Sequence, residues 1–451
     1  MSDQHSVQRP SMKDAAPGLS GLEAGRGELK WPLSALPDRV RVLILGGGIH
    51  GVGLLHDLAS RGWHDIHLVE RHTLGFGTSS RSTKLIHGGL RYLQNIRDFG
   101  LVAESLRERR TLMRVAGDIV KPLELIFPVL KQGGVSRPVI KMGLTLYDLL
   151  SGQYGLEKHH RLTPDEVSGK APPLALDRFR HFYSFHDCQT DDLELVRRVS
   201  SSAVRQGGSV SENCEAIRIE PGDDGWLVTV RRPDGKEHVI SALYVFNALG
   251  PWAHKILENS RIAPTHRAVN NRGSHVIVKD MGLKSGLFLQ SPEDGRIFFM
   301  LPWLGHTILG TTEDRHSGDP DEVHAEQKDV DYILGRANRY LKSPLSMHHI
   351  EATFSGLRWL ALEEGHTLTA TSRNHIIGEH SGRRGLLMTL YGGKLSAYRA
   401  LCQEIGDRIT AHFGEFKPSR TSEIDSWVKG TGHHPETAIT RFVKPVTANA
   451  I

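Results

Sequence analysis

The sequence predicts a two-lobed α/β protein, one lobe built on a parallel sheet and the other on a mostly antiparallel sheet lying over it as a cap. Three observations predict this. An apolar strand, Arg41–Leu45, runs directly into Gly46-Gly47-Gly48-Ile49-His50-Gly51, a helix and a second strand. The order strand, glycine, helix start recurs at Asn247-Ala248-Leu249-Gly250-Pro251-Trp252 and at Gly385 to Arg399. Between these two, Arg272 to Thr312 carries short strands in close succession, a pattern of antiparallel pairing.

Composition narrows the class. With 451 residues, 39% hydrophobic and 24% charged, the chain has the make-up of a globular protein with a large core. Lys and Arg exceed Asp and Glu by 56 to 51, too mild a bias for nucleic acid but suited to an anionic substrate or an anionic membrane surface. The cysteines, Cys188, Cys214 and Cys402, match no zinc or redox spacing and favour a reducing compartment. No apolar run reaches the ~18 residues of a membrane span. The expected location is cytoplasmic, peripheral on the cytoplasmic face of a membrane.

Taken in order, residues 1–38 read as a mobile tail whose Asp3, Asp14, Glu23 and Glu28 argue against a transit peptide. The G-x-G-x-x-G turn allows backbone to approach a pyrophosphate at the start of a helix that stops at Gly62. A second strand, Ile66 to Glu70, then places Glu70 where a ribose hydroxyl is bound. Leu55 stands where such helices often carry a small residue, so looser packing on the sheet is expected there. Thr78-Ser79-Ser80-Arg81-Ser82-Thr83-Lys84-Leu85-Ile86-His87-Gly88-Gly89-Leu90-Arg91-Tyr92-Leu93 joins hydroxyls, glycines, a histidine and cations. That mixture suits a pyrophosphate and an anionic substrate beside a redox cofactor, and it reads as a flavin site with its substrate pocket attached.

Asp98 to Ala116 is a scaffold helix by its apolar spacing. Lys131 to Leu150 is basic and amphipathic, fitting either a membrane interface or a core helix with a solvated face. Thr163-Pro164-Asp165-Glu166 is a capping box. Arg180 to Cys188 is a strand on which His181 and His186 face opposite ways, which argues against a metal site. A helix from Asp191 to Arg205 and strands at Glu215 to Glu220, Trp226 to Arg231 and His238 to Phe246 follow. Val330, Ile333, Leu334, Ala337 and Leu341 mark another helix. Tyr391-Gly392-Gly393-Lys394-Leu395 offers free N–H groups and a lysine to a ligand, and Gly414 to Ile451 is polar and irregular.

These segments together resemble the FAD-dependent glycerol-3-phosphate dehydrogenases from about Arg41 to Arg408. The matching motifs, in that family's order, are GGGIHGVG, TSSRSTKLIHGGLRYL, FHDCQTDD, NALGPW, RGSHVIV, LGTTEDRHSGDP, FSGLRWL and YGGKLSAYR. The resemblance implies a Rossmann-like FAD-binding domain with a mostly antiparallel β cap over the isoalloxazine. It also implies oxidation of glycerol 3-phosphate to dihydroxyacetone phosphate, with electrons passed to membrane quinone or, in some members, to oxygen. The implied domain limits are 39–125, 183–262 and 352–412 for the FAD domain, 126–182 and 263–351 for the cap, and 413–451 for a shortened C-terminal extension. A homodimer is a possible assembly, and 131–150 lies where family members dock on the bilayer.

The expected cofactor residues are Gly46, Gly48, Ile49, His50, Gly51 and Glu70, then Thr78, Ser79, Ser82, Lys84, Leu85, His87 and Gly88. Gly250, Trp252, Gly392, Gly393, Lys394 and Leu395 complete the set. The family's catalytic and substrate residues fall on His87, Arg91, Tyr92, Arg358 and Lys394. Hydride loss from a secondary alcohol needs a base at the hydroxyl, and a histidine's ordinary pKa suits that role at His87. Arg91 and Arg358 suit the phosphate, and Lys394 either the phosphate or the developing oxyanion. Trp359 stands where the family usually has proline, which points to a changed pocket shape. Two other readings stay open: a flavin oxidase of another hydroxy acid or amine, and a FAD-binding scaffold or sensor without turnover.

Overall fold

The computed structural model describes residues 35–94, 99–131, 137–152, 156–291, 293–362 and 375–429. The expected N-terminal tail therefore lies almost wholly outside the described residues, as does 430–451.

The first lobe is a sheet whose parallel strands run in the order Ser209–Ser211, Ile66–Val69, Arg39–Leu45, Glu237–Asn247 and Leu386–Tyr391. Ile376–Ser381 closes one edge antiparallel, and the hairpin Glu215–Gly222 with Gly225–Arg231 pairs onto the first half of Glu237–Asn247. A parallel sheet is covered on both faces, so its central strand is apolar throughout. Val42 and Ile44 belong to the core under the helices, while Val40, Leu43 and Leu45 belong to the core on the opposite face. Each such fully buried side chain contributes roughly 1.5–3 kcal/mol.

The helix Ile49–Ser60 packs between Asp192–Arg205 and Tyr398–His412 on the first of these faces. Leu55 does not loosen this packing: it is fully buried. The room comes from Gly208, where an added Cβ would lie 3.1 Å from the Leu55 side chain. Asp191 caps Asp192–Arg205 by accepting from the N–H groups of Leu193 and Glu194, and the predicted capping box at Thr163 and Glu166 is present.

The second lobe is a sheet in the order Asp314–His316, Ala268–Lys279, His306–Gly310, Ile297–Trp303, Gly286–Gln290, Val120–Leu130, Phe179–Thr190 and Leu85–Ile86. Its pairings are antiparallel except that of Gly286–Gln290 with Val120–Leu130. Ile350–Ala361 lies along the other edge of Ala268–Lys279. This corrects the expected domain limits at 125, 183 and 352, which cut through the strands Val120–Leu130, Phe179–Thr190 and Ile350–Ala361. Ladder hydrogen bonds run the length of each strand and keep it whole in the second sheet.

Residues 413–429 form no long helix or strand, yet they are firmly attached to the first lobe. Trp427 is buried, its indole N–H donates to the Thr421 carbonyl (2.9 Å), and His56 meets its ring edge-on at 5.3 Å. His56 Nε2 lies 2.9 Å from Ser426 Oγ and 3.0 Å from the Ser426 carbonyl. One tryptophan thus fixes a polar strap against the back of the glycine-turn helix.

Burial holds the imidazoles of His56 and His67 at a pKa of about 4, partly opposed at His56 by the Ser426 hydrogen bond. In the unfolded chain both protonate near about 6.5. Between those values the unfolded state binds more protons, so stability is full above the higher value and falls as the pH drops toward the lower one. The loss is on the order of 3 kcal/mol per ring. Thermal melts should show a lower Tm at about pH 5 than at about pH 7.5, with a shallower decline in His56→Gln; equal Tm values at the two pH values would refute the account.

Candidate active site

One cavity of about 400 Å³ opens between the two sheets, lined by the glycine turn, the 78–92 loop, residues 248–252, Arg358 and its neighbours, and residues 392–396. Its floor is the turn that precedes Ile49–Ser60. Gly46 has φ +102°, and a Cβ there would lie 2.7 Å from the Ala248 carbonyl oxygen. A Cβ on Gly51 would collide with the carbonyl oxygen of Gly46, so the helix start and the turn touch through bare backbone. Gly48 supplies no side-chain cap and the first turn carries no acid, while the Ile49 N–H donates to Ser79 Oγ (2.9 Å). Among the described residues no acid caps this helix start, so its dipole and remaining N–H groups face the cavity.

Glu70 closes this floor. Its carboxylate accepts from the N–H groups of Gly47 (2.6 Å) and His72 (2.8 Å). Burial pushes its pKa up while those two hydrogen bonds pull it down. Beside it, Arg71 grips Asp321 with both terminal nitrogens, and Trp252 Nε1 donates to the same carboxylate (2.9 Å), joining a second-lobe loop to the cavity mouth.

The 78–93 loop forms one wall of the cavity. Thr78 Oγ1 donates to the Leu357 carbonyl (2.6 Å), and Ser82 donates to Asp192 from both its N–H (3.0 Å) and its hydroxyl (2.7 Å). Lys84 corrects an expectation: it does not line the cavity. It is fully buried, with Nζ 2.7 and 2.8 Å from the two Asp192 oxygens and 2.7 Å from the Ser80 carbonyl. An ammonium turned inward needs such a matched carboxylate, and this one lies behind the loop. Gly51 and Gly88 also stand behind the lining, the first under the turn and the second against Tyr147. The other expected cofactor residues line the cavity.

His87, Arg91, Tyr92, Arg358 and Lys394 all reach the same cavity. The His87 N–H donates to Ser396 Oγ (3.2 Å), which ties the loop to the 392–396 turn. Lys394 Nζ sits 4.2 Å from the centre of the Tyr92 ring, a cation–π contact that holds it at the cavity wall. The Arg358 guanidinium takes the space that a side chain at Gly273 would fill: an added Cβ there would lie 2.7 and 2.8 Å from its two terminal nitrogens. His50 lines the cavity with Nε2 against Gly393, and burial, helped by His375, lowers its pKa to about 4. Trp359, which also belongs to the cavity lining, stacks on Tyr391 at 4.5 Å and 19°.

Sequence reasoning passed over Arg71, Asp187 and Glu313, which also line the cavity. The last two sit inside FHDCQTDD and LGTTEDRHSGDP, motifs noted for resemblance alone. It also passed over His275, whose Nε2 lies 3.0 Å from Thr83 Oγ1 and whose ring stacks on Phe354 at 4.6 Å. Burial, with Arg358 and Lys84 nearby, holds that imidazole well below its ordinary pKa and hence neutral.

Residues 41–399 match the family model described as FAD dependent oxidoreductase. The chain belongs to the FAD dependent oxidoreductase family. Among similar proteins, the glycerol-3-phosphate dehydrogenase of Synechocystis sp. is 32% identical over 386 residues, covering 82% of this chain and 69% of the relative. The aerobic glycerol-3-phosphate dehydrogenase of Escherichia coli is 31% identical over 388 residues, covering 85% and 75%. The D-erythritol 1-phosphate dehydrogenase of Brucella abortus is 31% identical over 374 residues, covering 82% and 73%. In fold, the chain is similar to the glycerol-3-phosphate dehydrogenase from Bacillus halodurans complexed with FAD, with a TM-score of 0.68 at 24% identity, covering 86% of this chain and 67% of that one.

The cavity of this FAD dependent oxidoreductase fits its cofactor: a helix start with no acid in its first turn, bare glycine backbone and a half-buried acid at the end of the second strand suit pyrophosphate and ribose. Gly51→Ala, which forces a methyl into the Gly46 carbonyl, should yield protein without the flavin absorbance of the parent. Lys84→Met should lower stability by about 3–5 kcal/mol by stranding the buried Asp192, as read by denaturant titration. A stable yellow Gly51→Ala protein would contradict the first expectation, and an unchanged midpoint the second.

Proposed function

We propose that this flavoenzyme oxidises the secondary hydroxyl of sn-glycerol 3-phosphate to the ketone of dihydroxyacetone phosphate. The observation that carries the reading is that Arg91, Arg358 and Lys394 line one cavity together with His87. Three cations match a phosphate dianion, whereas a lone carboxylate substrate needs fewer. When bound, FAD supplies the acceptor for the hydride that leaves the alcohol carbon.

The remaining work falls to the chain. Arg358, whose guanidinium takes the space a side chain at Gly273 would fill, donates to the phosphate. Arg91, on the short turn Leu90–Gln94, adds a second donor set. Lys394, steadied over Tyr92, neutralises charge at the oxygen as its proton departs. A ring nitrogen of His87 takes that proton.

A longer polyol phosphate is the second reading. The Brucella abortus relative named for D-erythritol 1-phosphate is as similar to this chain as those named for glycerol 3-phosphate, and Glu313 and Thr311 in the lining offer acceptors for extra hydroxyls.

For the electron acceptor we propose a membrane quinone, reached by peripheral docking. Among the described residues no helix is long and apolar enough to cross a bilayer. The helix Arg137–Ser151 buries Ile140, Leu144 and Tyr147 and exposes Val139 (47%), Met142 (67%) and Leu149 (71%) beside Arg137 and Lys141. Apolar side chains under a fringe of cations suit an anionic lipid interface.

Anaerobic addition of glycerol 3-phosphate should bleach the flavin absorbance, and erythritol 1-phosphate should do so faster if the second reading is right. Replacing Arg358 or Arg91 with Ala should raise KM for the phosphate ester roughly tenfold or more; unchanged kinetics in both would sink the phosphate assignment. Met142→Asp with Leu149→Asp should abolish co-sedimentation with anionic vesicles while leaving bleaching intact, and undiminished co-sedimentation would remove the docking face.

A further inference from the structure

Behind His87 lies a buried polar cluster that the reaction as described does not use. Tyr147, from the inward face of Arg137–Ser151, accepts the Gly88 N–H at its hydroxyl oxygen (2.9 Å) and donates to Asp187 Oδ1 (2.6 Å). Arg109 Nη1 donates to that same oxygen (2.6 Å) and to the His186 carbonyl (2.9 Å). All three side chains are buried, while Asp187 touches the cavity and Gly88 does not. A Cβ on Gly88 would lie 2.7 Å from the Tyr147 hydroxyl, so the backbone is pressed onto it.

We propose that Tyr147 is a positioning residue for His87, acting through the Gly88 N–H and the Asp187 carboxylate. The inference rests on the reading of His87 as the base. The His87 N–H is held by Ser396 Oγ and the next N–H by Tyr147, so both peptide units that set the direction of the imidazole are fixed. Arg109 in turn fixes Asp187, and Asp187 fixes the phenol. Burial and the adjacent carboxylate push the Tyr147 pKa well above its ordinary value, so the hydroxyl remains a donor at any working pH.

Packing alone does not require this hydroxyl. Tyr183 belongs to the same apolar cluster, and its buried hydroxyl makes no hydrogen bond among the described residues. Phe at 147 would keep the edge-on contact with Phe185 (6.0 Å) and leave the Gly88 N–H only its longer contact with Asp187 Oδ1 (3.4 Å).

The test compares parent, Tyr147→Phe and Tyr183→Phe holoenzymes, matched for flavin content and Tm, by stopped-flow anaerobic reduction with glycerol 3-phosphate. For Tyr147→Phe the limiting rate per flavin should fall roughly 10- to 100-fold, because a misplaced base costs rate. KM should stay within about threefold, since the phosphate cations are untouched. Tyr183→Phe should match the parent. If Tyr147→Phe does not accumulate as holoenzyme, Asp187→Asn, which keeps an acceptor for Tyr147 and Arg109, should show the same split to a smaller extent. A limiting rate within twofold of the parent, or a fall confined to KM, would overturn the proposal. Failure of the parent itself to bleach would instead overturn the substrate reading.

Discussion

A single buried carboxylate organises the site. Asp192 accepts from Ser82 at two atoms and from Lys84, and Lys84 also reaches back to the Ser80 carbonyl. A fully buried ion pair is a poor source of net stability, because both ions lose their hydration. What it supplies is geometry: removing either partner leaves a charge with nowhere to go, so the loop has one acceptable path. Lys84 takes a left-handed φ of +62° along that path. Upstream of it Ser79 meets the helix start, and downstream His87 and Arg91 are delivered to the cavity. The glycine-turn floor and the cavity wall that holds His87 and Arg91 are thus two ends of one clamped segment.

The second constraint is the shared edge between the lobes. Leu85–Ile86, within the clamped loop, pairs with Phe179–Thr190 and so belongs to the second sheet. Ile350–Ala361 brings Arg358 in from the same sheet, and Thr78 of the loop bonds to its Leu357 carbonyl. Cations from separate parts of the chain converge because sheet hydrogen bonds cross the cavity wall. The Arg71 and Trp252 contacts with Asp321 repeat the arrangement at the outer mouth.

Features that depend on neighbours in sequence were legible. The glycine turn, Ile49–Ser60, the capping box at Thr163 and the closely spaced strands between Arg272 and Thr312 declare themselves by local pattern and turn chemistry, whereas the long central strand Val120–Leu130 went unread. What sequence could not convey was direction. Lys84 looks like any cation beside a phosphate site until Asp192, far along the chain, turns it inward. Leu55 looks oversized until Gly208 makes room for it. Trp427 sits in a polar stretch that reads as irregular, and its burial is visible only once His56 is beside it. The domain limits failed for the same reason: long strands such as Phe179–Thr190 end where their ladder partners end, which no local signal marks.

The helix Arg137–Ser151 shows Met142 and Leu149 to the outside and Tyr147 to the backbone beside His87. These positions are locked in phase by the helical repeat. One residue inserted between Met142 and Tyr147 would turn the two faces against each other by ~100°. Point changes on the outer face can therefore accumulate as a lineage adapts to a new surface, whereas insertions and deletions within the helix cannot. Homologues that keep the chemistry should vary in the composition of this helix and hold its length.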